Sequence, residues 1–258
     1  MIIRERQNDF VMIEQDNHAH ISGQIITNWK DSLFLGQELK KSVEYATFKH
    51  DCGWQPVDKQ PFWNDQKKSP YSFMDFPTLS KLVFYKYGID LVENVDSYAA
   101  LLCSRHYTQF LIHDTSQEGK KFVQQEESRQ QRIIRSIPNF NKKLFEFHYG
   151  LLKLGDSLSL YICLNEPGIS KENEHHFYKD GIPIPSSLNI FGQRNLQLQW
   201  INKETIIMHD FPLRAPTLIK LKQKVISKKD IVDNGLLECY QASPLQEMTI
   251  RLIPEENE

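Results

Sequence analysis

Residues 141–164 read NKKLFEFHYGLLKLGDSLSLYICL, and residues 95–114 read VDSYAALLCSRHYTQFLIHD. The first run is long and strongly apolar, and it predicts a central helix over 139–164. The second is apolar almost all round, which predicts a buried helix over 95–113. Between them, QEGKKFVQQEESRQQRIIR is polar nearly all round and predicts a surface helix over 118–136. Working outward, Ile21, Ile25, Ile26 and Trp29 keep the three- and four-residue spacing of one helical face over 16–30. Leu39, Val43, Ala46 and Thr47 do the same over 37–50, with Gly53 closing that segment. A further helix is expected over about 77–87. Residues 54–72 carry Pro56, Pro61 and Pro70 among Trp, Asp, Lys and Tyr, and read as a long irregular loop of the kind that forms lids.

Beyond Pro167 the character changes. Residues 168–195 are rich in Gly, Pro, Ser and Asn and read as a connector. Leu196, Leu198 and Trp200 then alternate with Gln197 and Gln199, Ile219, Leu221 and Val225 with lysines, and Met248, Ile250 and Leu252 repeat the period of two. One apolar and one wet face marks an antiparallel sheet. The expected fold class is therefore mainly α: a helical bundle over 1–167, a connector over 168–195, and a small C-terminal antiparallel β appendage over 196–258.

The chain has 258 residues, 40% hydrophobic and 25% charged, so its composition is that of a globular protein. Its 31 basic and 33 acidic residues leave a formal charge of −2, which provides no broad footprint for duplex nucleic acid. A small anionic ligand needs only a few local cations and stays allowed. The opening MIIRERQNDFVMIEQ lacks the apolar core of a signal peptide, and no stretch reaches the roughly 18 apolar residues of a membrane span. Cys52, Cys103, Cys163 and Cys239 are scattered without a Cys-x-x-Cys pair, which reads as reduced thiols and a cytoplasmic location.

Three of the nine histidines are followed by Asp: His50-Asp51, His113-Asp114 and His209-Asp210. His209-Asp210 precedes Pro212 and reads as a solvated turn. His113-Asp114 closes a helix, where a histidine favours the dipole. His50-Asp51 ends an amphipathic helix, and two adjacent ligand-type residues there can reach one ion from the same wall. Imidazole with carboxylate suits a borderline divalent metal. Possible company comes from His18, one turn before the small pair Ser22-Gly23, from His106 between Leu102 and Phe110, and from Asp156 between Leu154 and Leu158. A carboxylate in such surroundings must be paired, protonated or bound to a cation. A lone Asp would favour pairing; an Asp with two helical histidines and a His-Asp doublet favours a metal.

Four pieces carry a family likeness: His18-Ala19-His20-Ile21-Ser22-Gly23, His50-Asp51-Cys52-Gly53-Trp54, Ala99-Ala100-Leu101-Leu102-Cys103-Ser104-Arg105-His106, and Asp156-Ser157-Leu158-Ser159-Leu160-Tyr161. In order and spacing they resemble the HD-domain superfamily of metal-dependent phosphohydrolases, and more narrowly an uncharacterised bacterial family within it. The resemblance implies an HD-like helical bundle with His18, His50, Asp51 and Asp156 as metal ligands. His106 matches an extra helical histidine that holds a second metal in binuclear members. The implied cofactor is a divalent metal (Mn, Fe, Ni, Co, Zn or Mg), one ion with a second left open.

Such an ion lowers the pKa of bound water and polarises a phosphoryl oxygen. Hydrolysis of a phosphate ester also wants cations on the developing charge. Asp51, Arg105 beside His106, and Lys81 after the loop are the catalytic candidates, although Arg105 and Lys81 have ordinary solvated roles open to them. Trp54 and Tyr71 either line the pocket or fill local core. The expected function is hydrolysis of a small phosphorylated metabolite or nucleotide, with a small anionic substrate, no membrane or duplex partner, and a homodimer allowed. A di-iron oxygenase of the same superfamily and a non-catalytic metal-containing binding protein are the alternatives.

Overall fold

Two strands open the chain, β1 (Ile2–Glu5) and β2 (Asp9–Ile13), paired antiparallel. Helices α1 (Gln15–Thr27), α2 (Lys40–Lys49) and the single turn α3 (Gln55–Asp58) follow. A short hairpin of β3 (Trp63–Asn64) and β4 (Ser69–Pro70) leads to α4 (Thr78–Glu93), α5 (Ser97–Phe110), α6 (Gln117–Ser136) and α7 (Lys142–Leu164). After α7 come β5 (Ile182–Pro183), β6 (Asn195–Leu196), β7 (Leu198–Asn202), β8 (Thr205–Met208) and β9 (Thr217–Ser227). The helical pair α8 (Lys228–Asn234) and α9 (Leu236–Ala242) precedes the last strand, β10 (Gln246–Pro254). This computed structural model describes residues 1–188 and 191–255; residues 189 and 190 of the expected connector and the last three residues of the expected appendage lie outside them.

The fold class expected from sequence is corrected here. Strands β1-β2-β9-β10-β8-β7 form one six-stranded sheet, and the fold is 51% helical with 19% strand, not a mainly α bundle with a small appendage. Helices pack on a sheet that takes strands from both ends of the chain: α1 lies against β9 and α7 against β1. Nor is the sheet wholly antiparallel, because β10 runs parallel to β8 with Arg251 opposite Thr205.

The N-terminal strands escape a period-of-two reading for a physical reason. In β2 four successive residues are buried. Val11 and Ile13 join the main core, whereas Phe10 and Met12 face a second cluster with Ile226, Ile231, Leu236, Cys239 and Tyr240. A strand covered on both faces shows no polar alternation. The C-terminal alternation does mark strands, since Ile219 and Leu221 of β9 and Ile250 and Leu252 of β10 are buried.

The helices lie close to their expected positions because their apolar spacing reports one buried face directly. Side-chain caps fix three starts: Asp96 accepts from the Ala99 amide, Ser116 from Gly119 and Asn141 from Leu144. Two glycines set the close approaches around the His-Asp doublet. A Cβ at Gly23 would meet the Phe48 ring at 2.3 Å, so α1 and α2 touch through that glycine. A Cβ at Gly53 would meet the Phe84 carbonyl oxygen at 2.1 Å, which seats the Cys52–Trp54 turn on α4. Trp54 then packs against Phe76, Phe84 and Tyr85 and fills local core.

Candidate metal centre

His18 on α1, His50 and Asp51 just past α2, His106 on α5 and Asp156 on α7 converge although up to 138 positions separate them. The two histidines of the first motifs bring their Nε2 atoms within 3.3 Å of each other. His18 Nε2 lies 2.9 Å from Asp156 Oδ1 and 3.7 Å from Asp51 Oδ2. His50 Nε2 lies 3.5 Å and 3.7 Å from the same two oxygens. His106 Nε2 approaches the other Asp156 oxygen, Oδ2, at 3.8 Å. His18, His50 and Asp51 form one group with metal-ligand spacing, and His50, His106 and Asp156 form another.

These buried histidines and aspartates are positioned to hold a metal ion. Ligands about 2.1 Å from one ion stand roughly 3.0–3.4 Å apart in octahedral or tetrahedral array. The five distances that link His18 Nε2 and His50 Nε2 to each other and to Asp51 Oδ2 and Asp156 Oδ1 run from 2.9 to 3.7 Å and straddle that range, so the two imidazoles can share an ion with either carboxylate.

The surroundings orient each donor. His50 Nδ1 lies 2.8 Å from the Thr47 carbonyl, which can only accept, so Nδ1 carries the proton and Nε2 is free for a metal. His18 Nδ1 is 2.6 Å from Ser159 Oγ, which in turn meets Ser22 Oγ at 2.6 Å. Tyr107 donates to Asp51 Oδ1 at 3.0 Å and also to the His50 carbonyl. Gln15 Nε2 donates to Asp51 Oδ2 at 3.1 Å. Sequence reading passed over Tyr107, Gln15 and Ser159 in these roles. The faint signals were their neighbours: Tyr107 follows His106, and Ser159 stands one helical turn after Asp156.

Without an ion the cluster gathers positive charge. Burial alone would depress the His50 pKa, but the Asp51 and Asp156 charges outweigh it and push it up to about 9. Asp156 loses by burial too, yet bonds from His18 and His50 hold it well below the usual carboxylate range. At His106 burial wins over the Asp156 charge and lowers the pKa to about 4, leaving a neutral imidazole. A protonated His50 between two carboxylates occupies the place a bound cation would take.

The remaining candidates make contacts of their own. Lys81 Nζ donates to the Phe73 carbonyl at 3.0 Å and braces the segment before α4. Arg105 lies with its guanidinium carbon 5.7 Å from the Tyr149 ring centre. His148 is bonded to Tyr98 and to the Leu35 carbonyl, and His209 pairs with Glu255 at the surface.

A family model described as "Protein of unknown function (DUF3891)" matches residues 1–228, from β1 to the start of α8. The chain belongs to this family. All five clustered residues lie inside the DUF3891 match, while most of α8, all of α9 and β10 lie beyond it. No curated protein and no solved structure matches. The DUF3891 description names neither an activity nor the HD-domain superfamily, so that resemblance rests on the motifs alone. Among the described residues, no helix is long and apolar enough to cross a membrane.

Proposed function

We propose that the chain is a metal-dependent phosphohydrolase of the HD-domain kind, acting on a small phosphorylated metabolite or nucleotide. One observation carries the reading: two imidazole Nε2 atoms and two carboxylate oxygens, from three separated segments, converge with each imidazole 2.9–3.7 Å from both carboxylates. A divalent ion held by His18, His50, Asp51 and Asp156 would supply water of lowered pKa and a Lewis acid for the phosphoryl oxygen. Mn, Fe, Co, Ni, Zn and Mg all remain within the chemistry of this donor set.

The protein's own part is positioning. Thr47 fixes the His50 tautomer, Ser159 orients His18, and Tyr107 with Gln15 holds Asp51 in place. Of the four ligands Asp156 is the most exposed, its side chain 14% accessible, so substrate would arrive along α7. His50 has one free lone pair and belongs to both ligand groups, which favours one ion over the two irons of an oxygenase.

The test is phosphate release from a panel of nucleotides and phosphorylated metabolites by protein loaded with each metal in turn. Hydrolysis lost with chelator and in Asp156→Asn is expected. Full loading without turnover on the panel would overturn the hydrolase reading in favour of a binding protein. Two irons with dioxygen-dependent activity would overturn it in favour of an oxygenase.

A further inference from the structure

Two turns before Asp156 on α7 sits Tyr149, a residue only 6% exposed whose hydroxyl has no hydrogen-bond partner among the described residues. A buried phenol ordinarily finds a partner. Two cations cover this one. Arg105, the neighbour of His106 on α5, places its guanidinium carbon 5.7 Å from the ring centre, and Lys153 places its Nζ at the same 5.7 Å. Tyr149, Lys153 and Asp156 are spaced i, i+4, i+7, which puts them on one face of α7. The phenol therefore lies within the fields of both Arg105 and Asp156, and with burial they leave its pKa at about 12, so it remains a donor at neutral pH.

We propose that Arg105, Lys153 and Tyr149 form an anion cradle beside the metal centre, taking a second anionic group of the substrate. The word substrate rests on the reading given above; the cradle itself rests on the unpartnered hydroxyl and its two cations. An anionic oxygen accepts from the phenol while the guanidinium and ammonium neutralise its charge. Arg105 and Lys153 are long, flexible side chains, so they can pivot off the ring without moving the backbone. Seven residues of helix rise about 10 Å. The class this favours is an elongated phosphorylated metabolite whose second anionic group, a phosphate or a carboxylate, lies on the order of 10 Å from the one hydrolysed. A neutral leaving group would leave the two cations and the phenol without work.

The deciding experiment titrates inorganic phosphate calorimetrically into chelator-treated protein and into Mn(II)-loaded protein. Phosphate is expected to bind the chelator-treated wild type. Tyr149→Phe and Arg105→Gln should each weaken that binding at least tenfold while leaving Mn(II) affinity unchanged. Tyr149→Phe removes only an unpartnered hydroxyl, so loss of fold is not expected, and a melting curve confirms it. Equal phosphate affinity in wild type and both variants would overturn the cradle, as would no binding without metal. If the wild type takes up no Mn(II) yet phosphate binding still depends on Tyr149, the cradle stands and the hydrolase reading falls.

Discussion

His50 Nδ1 points at the carbonyl of Thr47, one turn earlier in the chain, at 2.8 Å. That single bond settles which nitrogen carries the proton, and it turns Nε2 toward His18, Asp51 and Asp156. The donor geometry of the cluster thus depends on the backbone at the end of α2. The same corner is held from the other side by Tyr107, whose hydroxyl reaches both the His50 carbonyl and Asp51.

Asp51→Ala should lose metal and destabilise the fold. It strips the acceptor from Gln15, a buried donor whose unpaired cost is about 1–3 kcal/mol, and leaves Tyr107 with the His50 carbonyl alone. Asp210→Asn is the matched control from another His-Asp pair. Asp210 has a positive φ of 46° that Asn tolerates, and its carboxylate accepts from the exposed Gln193. Chemical denaturation with metal analysis on both variants checks this; like behaviour would show that the wrong doublet has been singled out.

Tyr107→Phe keeps the ring stacked on Tyr85 and removes only the tether. Groups of this kind, which orient a ligand from behind, typically change metal affinity 10–100-fold. A loss of that order in a competition titration is expected, with a nearly unchanged far-ultraviolet spectrum. Unaltered affinity would mean that Asp51 is held without Tyr107.

The metal-free protein should lose stability on the alkaline side. His50 has a folded pKa of about 9 against an ordinary value near 6.5. Its stabilising contribution is full below about 6.5 and is lost as pH rises through about 9. His106 acts on the acid side: neutral in the fold with a pKa of about 4, it penalises folding as pH falls from about 6.5. Melting temperatures in chelator should therefore peak near neutral pH, and His50→Gln should flatten the alkaline limb. Metal must displace the His50 proton, so affinity should climb with pH up to about 9.

Gly53→Ala tests the seating of the doublet on α4. The added carbon would meet backbone, the Phe84 carbonyl, which cannot swing aside as a side chain can. A cost of about 3 kcal/mol or more is expected, the upper part of the range for overpacking, together with weaker metal binding. A melting curve equal to wild type would mean that the turn shifts freely.

The helices and the five clustered residues were legible because each leaves a local mark. Apolar stripes such as Ile21, Ile25 and Ile26 repeat at the helical period, and Asp156 stands out as a carboxylate in an apolar run. The sheet was only half legible. Strand β2 is covered on both faces, so Phe10 and Met12 look no different from Val11 and Ile13, and pairing with β9 leaves no trace in local periodicity. The four-residue β8 is too short to show a period, and its parallel pairing with β10 is a long-range choice. The tethers from Tyr107, Gln15 and Ser159 were hidden for a related reason: each acts through one polar atom whose partner is distant in sequence. For Arg105 and Lys81 nearness to a motif says nothing of their contacts: Arg105 lies over the Tyr149 ring and Lys81 bonds the Phe73 carbonyl.

Metal content of protein purified without chelator, measured by elemental mass spectrometry against protein concentration, addresses the centre itself. One divalent ion per chain is expected in the wild type, falling to about a tenth or less in His18→Ala and Asp156→Ala. Wild-type protein that carries no ion and takes up none of Mn, Fe, Co, Ni, Zn or Mg would contradict the assignment of His18, His50, Asp51 and Asp156 as a metal centre.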